Sequence, residues 1–143
     1  MKDKSVVCNS PHKTFTLGEE MGHSLKGGGI VLLYGGLGAG KTLLTKGILN
    51  ALKFDIDEVT SPSFTLVNRY KTEQFEVYHI DLWRLDGNVN AAEAVGLEEI
   101  FENEKAVTVI EWADRLGDIK FTNPTISVHI TGDGDEPREI TIN

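Results

Sequence analysis

Residues 35–42 read G-G-L-G-A-G-K-T, a glycine-rich stretch closed by a lysine and a hydroxyl residue. That spacing satisfies G-x-x-x-x-G-K-[ST], the phosphate-binding P-loop. In such a loop the backbone of Gly35, Leu37, Gly38, Ala39 and Gly40 wraps so that successive N–H groups face phosphate oxygens. Lys41 would bridge the outer phosphates and the Thr42 hydroxyl would ligate magnesium. The plainer alternative is an ordinary glycine turn with an exposed lysine. Composition alone would give such a match in a chain this long on the order of 1% of the time. The loop also sits where the motif requires, after an apolar run and before an amphipathic stretch, so the P-loop is the better reading. The guanine-reading N-K-x-D motif is absent from the sequence, which favours adenine, hence ATP with Mg2+.

A P-loop ATPase also needs carboxylates near the metal, usually at the end of an apolar strand. Two acids qualify: Asp81, closing F-E-V-Y-H-I-D, and Glu111, closing A-V-T-V-I-E. With Lys41 they form the candidate catalytic set. Spacing does not say which acid binds the metal and which holds a water, and either could be a solvated strand end. Thr60-Ser61-Pro62-Ser63-Phe64 is a hydroxyl-rich loop where many P-loop proteins carry a nucleotide-sensing switch. His79 could shuttle a proton or merely pack, and Trp83 and Trp112 each follow a candidate acid within two positions. His12, His23 and His129 show no metal-ligand spacing. Arg69, Arg84, Arg115 and Arg138 are all open as a transition-state arginine, unless a partner supplies it.

These groups need elements to hold them. Thr16-Leu17-Gly18-Glu19 fits a capping box, opening a helix through Leu17, Met21 and Leu25 that Gly27-Gly28-Gly29 would stop. Ile30–Tyr34 is a continuous apolar run, the pattern of a strand buried on both faces. Leu44, Ile48, Ala51 and Leu52 give a helix from about Lys41 to Leu52. Runs 63–70 and 75–80, joined by Lys71-Thr72-Glu73-Gln74, predict a β-hairpin. Residues 91–102 predict a helix broken near Gly96, and Ala106–Ile110 a second central strand. Ile126, Val128 and Ile130, then a Gly/Asp turn, then Ile140 and Ile142 predict a C-terminal hairpin. The expected fold class is α/β: a P-loop NTPase fold of three layers around a mixed, mostly parallel sheet, as one domain over 1–143.

Composition bounds the function. The chain carries 22 acidic against 14 basic side chains, a net charge of −8. That surface repels phosphodiester backbones, so any role with nucleic acid is expected to run through a partner. No apolar run reaches the ~20 residues of a membrane span. The opening residues lack the apolar core of a signal peptide and Cys8 is the single cysteine, so a cytoplasmic location is expected.

Taken together and in order, L-Y-G-G-L-G-A-G-K-T, S-P-S-F-T-L-V, Y-H-I-D-L-W-R-L and V-I-E-W resemble the TsaE (YjeE) family of bacterial ATPases over roughly Thr14 to Trp112. The resemblance implies a small P-loop protein of the pathway that makes threonylcarbamoyladenosine beside the tRNA anticodon. It implies binding to a TsaB–TsaD heterodimer whose turnover ATP hydrolysis supports, with tRNA touched only through that partner. It implies Lys41 and Thr42 as the phosphate and magnesium residues, Asp81 as the H-x-D acid, and Glu111 as a magnesium ligand. Ser63 stands where the family has Thr, Trp83 where it has Tyr, and Gly36 where it has Asp. Two rival readings are a small-molecule kinase, for which the chain leaves little room for a lid, and a nucleotide-dependent switch without hydrolysis.

Overall fold

The computed structural model describes residues 4–36, 38–59, 66–71, 74–83, 85, 90, 93, 95–116, 119, 121 and 123–143. Along the chain these form β1 (Lys4–Cys8), α1 (Pro11–Ser24), β2 (Gly29–Tyr34), α2 (Lys41–Ala51), β3 (Val67–Lys71), β4 (Glu76–Asp81), α3 (Leu97–Glu102), β5 (Val107–Glu111), β6 (Thr125–Thr131) and β7 (Arg138–Ile142). Short 3-10 turns cover Ile56–Glu58 and Ala113–Leu116.

The strands make one seven-stranded sheet in the order β1-β7-β6-β2-β5-β4-β3. Its centre is parallel, with β2 between β5 and β6, and β4 beyond β5. Antiparallel pairs, β3 with β4 on one side and β6-β7-β1 on the other, complete the margins. The fully apolar runs of β2 and β5 thus occupy the middle, where both faces are covered.

Alternation along each strand sends successive side chains to opposite faces. Val31, Leu33, Val77, Val107 and Val109 face a core built with α1 and α2, centred on Leu44, Ile48 and Leu49. Ile30, Leu32, Ile80 and Ile110 face a second core with Leu97 and Ile100 of α3 and with Ala113 and Leu116. Helices on both faces give the three layers expected from the sequence.

The two helices over the P-loop strand approach closely because glycines face each other. A Cβ on Gly18 would lie 2.3 Å from the Leu44 carbonyl oxygen, and one on Gly47 would lie 2.1 Å from that of Phe15. Asn50 Nδ2 donates to Glu19 Oε2 at 2.9 Å, tying the pair further.

That bond corrects one expectation. Helix α1 starts at Pro11, not after Thr16: Ser10 is the N-cap, accepting from the Lys13 N–H at 3.3 Å, and Pro11 sits in the first turn. Proline is favoured there because its missing N–H would have no helical partner. Thr16 and Glu19 are mid-helix, with Glu19 turned to α2. Edge strand β1 was unread, since Ser5-Val6-Val7-Cys8 is too short to show a period. The 75–80 strand and its hairpin with β3 are present, as are the Gly96 break, in left-handed conformation at the start of α3, and the β6–β7 hairpin. Residues 60–65, 91, 92 and 94 lie outside the described residues. Among the described residues no helix is long and apolar enough to cross a membrane.

Candidate functional site

The C-terminal ends of the parallel strands converge on the start of α2. Gly40 is its N-cap, with φ 105°, and Gly38 has φ 77°; both lie in the left-handed region that only glycine enters without strain. The loop thereby folds over its own helix terminus, where unpaired N–H groups and the helix dipole favour anions. Leu37 lies outside the described residues. Gly36 is exposed, and a Cβ there would meet nothing within 4 Å. An aspartate would fit equally well, so this departure from the TsaE pattern costs no packing.

Lys41 is folded back into the loop. Its Nζ donates to the carbonyls of Gly35 at 2.7 Å and Gly36 at 2.8 Å, and lies 4.4 Å from the Trp112 ring centre. The side chain is only 6% exposed. Burial pushes its pKa down, while the carboxylates of Glu111, Asp81 and Asp114 oppose that shift. The amine is thus desolvated and ringed by acids, with two loop carbonyls as its hydrogen-bond acceptors.

Register explains how the acids meet. Asp81 and Glu111 are direct Cα partners across β4 and β5, and Leu33 of β2 partners Glu111 on the other side. Alternation puts Val77, His79 and Asp81, with Val107, Val109 and Glu111, on the face under α2. The Thr42 hydroxyl on the first turn of α2 then lies 3.4 Å from Glu111 Oε1. Two oxygens held side by side on magnesium, each at about 2.1 Å, sit about 3 Å apart. The Thr42–Glu111 pair therefore fits a shared Mg2+ after a small contraction. Among the described residues no group of three His, Cys, Asp or Glu could cage a metal. This suits Mg2+, which keeps waters and phosphate oxygens in most of its positions.

Glu111 is 3% exposed, and its second oxygen, Oε2, is hydrogen-bonded to Nε2 of the fully buried His79. A carboxylate only accepts, so Nε2 carries the hydrogen. His79 Nδ1 has no partner among the described residues. His79 thus fixes Glu111 from beneath, buried and hydrogen-bonded, as the plainer of the two sequence readings has it. Asp81 is held differently, its Oδ1 accepting the Trp83 N–H at 2.9 Å. The two tryptophan rings meet in a tilted contact, centroids 4.7 Å apart and planes inclined at 42°, beside the pocket, with Trp83 37% exposed. Asp114, which acts on Lys41, was not singled out in the sequence.

These groups line a cavity of about 330 Å³ bounded by Gly38–Leu43, Asp81, Trp83, Glu111 and Trp112. A second cavity, about 420 Å³, opens behind the same loop between Asn9, Ser10 and Thr14 on one wall and Glu136 and Arg138 on the other. Of the arginines, Arg69 pairs with Glu76 on β3–β4, and Arg115 donates to the Leu85 carbonyl at 2.7 Å. Arg138 binds the loop itself. Arg84 and the 60–64 segment lie outside the described residues. His129 stacks on Tyr34 at 4.5 Å.

A glycine-rich loop between a central parallel strand and the next helix, with acids at the ends of adjacent strands, defines a protein of the P-loop NTPase fold. A family model described as threonylcarbamoyl adenosine biosynthesis protein TsaE matches residues 8–140. The chain belongs to the TsaE family of tRNA threonylcarbamoyladenosine biosynthesis. It is 37% identical to TsaE of Aquifex aeolicus over 78% of both chains. It is 32% identical to TsaE of Bacillus subtilis, over 99% of this chain and 85% of that one. The crystal structure of Bacillus subtilis YdiB superposes with a TM-score of 0.74 at 29% identity, over 99% of this chain and 84% of the other.

Proposed function

We propose that the chain binds ATP with magnesium and hydrolyses it to ADP and phosphate, in support of adenosine modification carried out by a TsaB–TsaD heterodimer in the cytoplasm. The observation that carries this reading is the convergence of Lys41, the Thr42 hydroxyl and the Glu111 carboxylate at one helix N-terminus, with the two metal-facing oxygens 3.4 Å apart. Backbone N–H groups of the loop and Lys41 hold the β- and γ-phosphates. Thr42 and Glu111 hold the metal, which when bound neutralises charge building on the transferred phosphoryl oxygens. Asp81, held through Oδ1 by the Trp83 N–H, orients a water at the edge of the site. The cavity behind the loop takes the nucleoside end. A net charge of −8 leaves tRNA to the partner.

Among the described residues Trp83 on the pocket wall is 37% exposed, so solvent reaches the site and screens the field acting on the transition state when the chain is alone. Turnover is accordingly slow in isolation and rises when TsaB–TsaD covers the nucleotide face, with Trp83–Arg84 and the 60–64 segment as the contact. The test titrates ATPase rate against TsaB–TsaD, with Lys41→Ala as the binding-dead control. ATP·Mg affinity unchanged in a folded Lys41→Ala removes the P-loop reading. Full turnover without the partner, unmoved by adding it, removes the partner from the mechanism and favours a kinase.

A further inference from the structure

Arg138 lies 100 residues beyond the phosphate loop, yet is bonded to it. Its Nη2 donates to the Gly38 carbonyl at 3.1 Å and its Nε to the Ala39 carbonyl at 3.1 Å. The same guanidinium holds the β6–β7 turn, donating to the Gly134 carbonyl at 3.0 Å and to that of Glu136. Gly132 and Gly134, with φ of 120° and 55°, bend that turn across the loop. Among the described residues its acceptors are these four main-chain carbonyls and no carboxylate. Its hydrogen bonds thus go to the main chain of loop and turn, and that turn also carries Asp133, Asp135 and Glu136.

The bonds have a directional consequence. A peptide unit is planar and trans, so its C=O and N–H point opposite ways. An arginine fork that draws the Ala39 carbonyl toward the hairpin turns the Gly40 N–H toward the other side, the phosphate cavity, while the Ala39 N–H is donated within the loop to the Gly36 carbonyl at 3.3 Å. The loop needs such an outside clamp because Gly38 and Gly40 give it wide backbone freedom, which binding must otherwise restrict.

We infer that Arg138 is a positioning residue for phosphate binding: it locks the P-loop in its anion-receiving form and is not the transition-state arginine. This rests on the nucleotide reading given above. A finger arginine faces the γ-phosphate and acts in the transition state, so its loss lowers kcat and spares ADP binding. A clamp on Gly38 and Ala39 acts on the ground state, and ADP, whose phosphates lie in the same loop, registers its loss. Lysine cannot replace it, because an ammonium does not span two loop carbonyls and two turn carbonyls with one planar fork.

The experiment compares Arg138→Ala, Arg138→Lys and Glu139→Ala, the last a solvent-facing neighbour on β7, in the full chain. ADP affinity is read by calorimetry, steady-state kinetics with TsaB–TsaD, and folding by circular dichroism and thermal melting. Both Arg138 variants are expected to stay folded, to bind ADP about 10- to 100-fold more weakly, and to raise KM far more than they lower kcat. Millimolar guanidinium should restore ADP affinity to Arg138→Ala and leave Glu139→Ala unmoved. Unchanged ADP affinity in folded Arg138→Lys overturns the inference; if kcat alone has fallen, Arg138 is the finger. A wild-type chain that binds no ADP removes the nucleotide reading itself, a result told apart from the others before any variant is made.

Discussion

Replacing Glu111 by alanine should damage the fold as well as the metal site, and the two effects can be separated. Glu111 is 3% exposed and His79 is 0% exposed, and the one group faces the other with Nδ1 of the histidine already unpartnered among the described residues. Removing one member of such a buried pair strands the other and typically costs about 3–5 kcal/mol. For a chain of this size each kcal/mol moves the melting temperature by roughly 4 °C, so Glu111→Ala should melt about 10–20 °C lower. Glu111→Gln keeps the volume and an acceptor oxygen for His79 Nε2–H, and should cost only about 1–2 kcal/mol. The double variant Glu111→Met/His79→Phe, which removes both polar partners, should recover much of the alanine loss. The assay is urea and thermal unfolding of all forms without ligand, followed by ADP and ATP titrations with and without Mg2+. Glu111→Gln should keep metal-free ADP binding and lose the magnesium-dependent gain in ATP affinity. If alanine costs less than about 1 kcal/mol, the pair is not desolvated and the positioning of Glu111 by His79 is wrong. If the glutamine form keeps the full magnesium effect, Glu111 is not a metal ligand and Asp81 takes that role.

Lys41 should give opposite pH slopes for stability and binding. Its folded pKa is depressed, so between that value and the ordinary lysine range the unfolded chain holds a proton that the folded chain has released, and ligand-free stability rises with pH there. ADP needs the charged amine, so its affinity falls over the same window; calorimetry and melting from about pH 7 to about pH 10 read both, and Lys41→Met should lack the stability slope. Gly47→Ala should destabilise despite the better helix former: the new Cβ would sit 2.1 Å from the Phe15 carbonyl oxygen and 3.0 Å from Gly18 Cα. Overpacking of about 1–3 kcal/mol opposes about 1 kcal/mol of helix propensity, and a more stable variant in denaturant would refute the close α1–α2 contact.

What was legible in the sequence was what is local or periodic. Gly35–Thr42 needed only spacing, and the apolar runs at Ile30–Tyr34 and Ala106–Ile110 announced strands covered on both faces. Asp81 and Glu111 were singled out because each closes a strand-like run, and the sequence even held part of the reason they meet. His79 and Asp81 share parity along one strand, so a histidine two residues before the acid had to share its face. What parity alone could not supply was the β4–β5 register, which sets Glu111 opposite Asp81 and so within reach of His79. The α1 boundary was misread for a different reason: Thr16–Glu19 and Ser10–Pro11 both offer a cap, and packing chose between them. Starting at Pro11 lets Phe15, Gly18 and Gly22 lie against α2, whereas starting at Leu17 would leave the Phe15 contact with Gly47 outside the helix. Arg138 could be read only as one of four candidate arginines, because its contacts lie in carbonyls about 100 residues away that only the fold brings near. Motifs expose the groups that meet the ligand; the groups that aim those motifs become visible only when the sheet order is known. In this chain they sit on the margin, on β7, which is why a hairpin outside the motifs bears on how well the P-loop works.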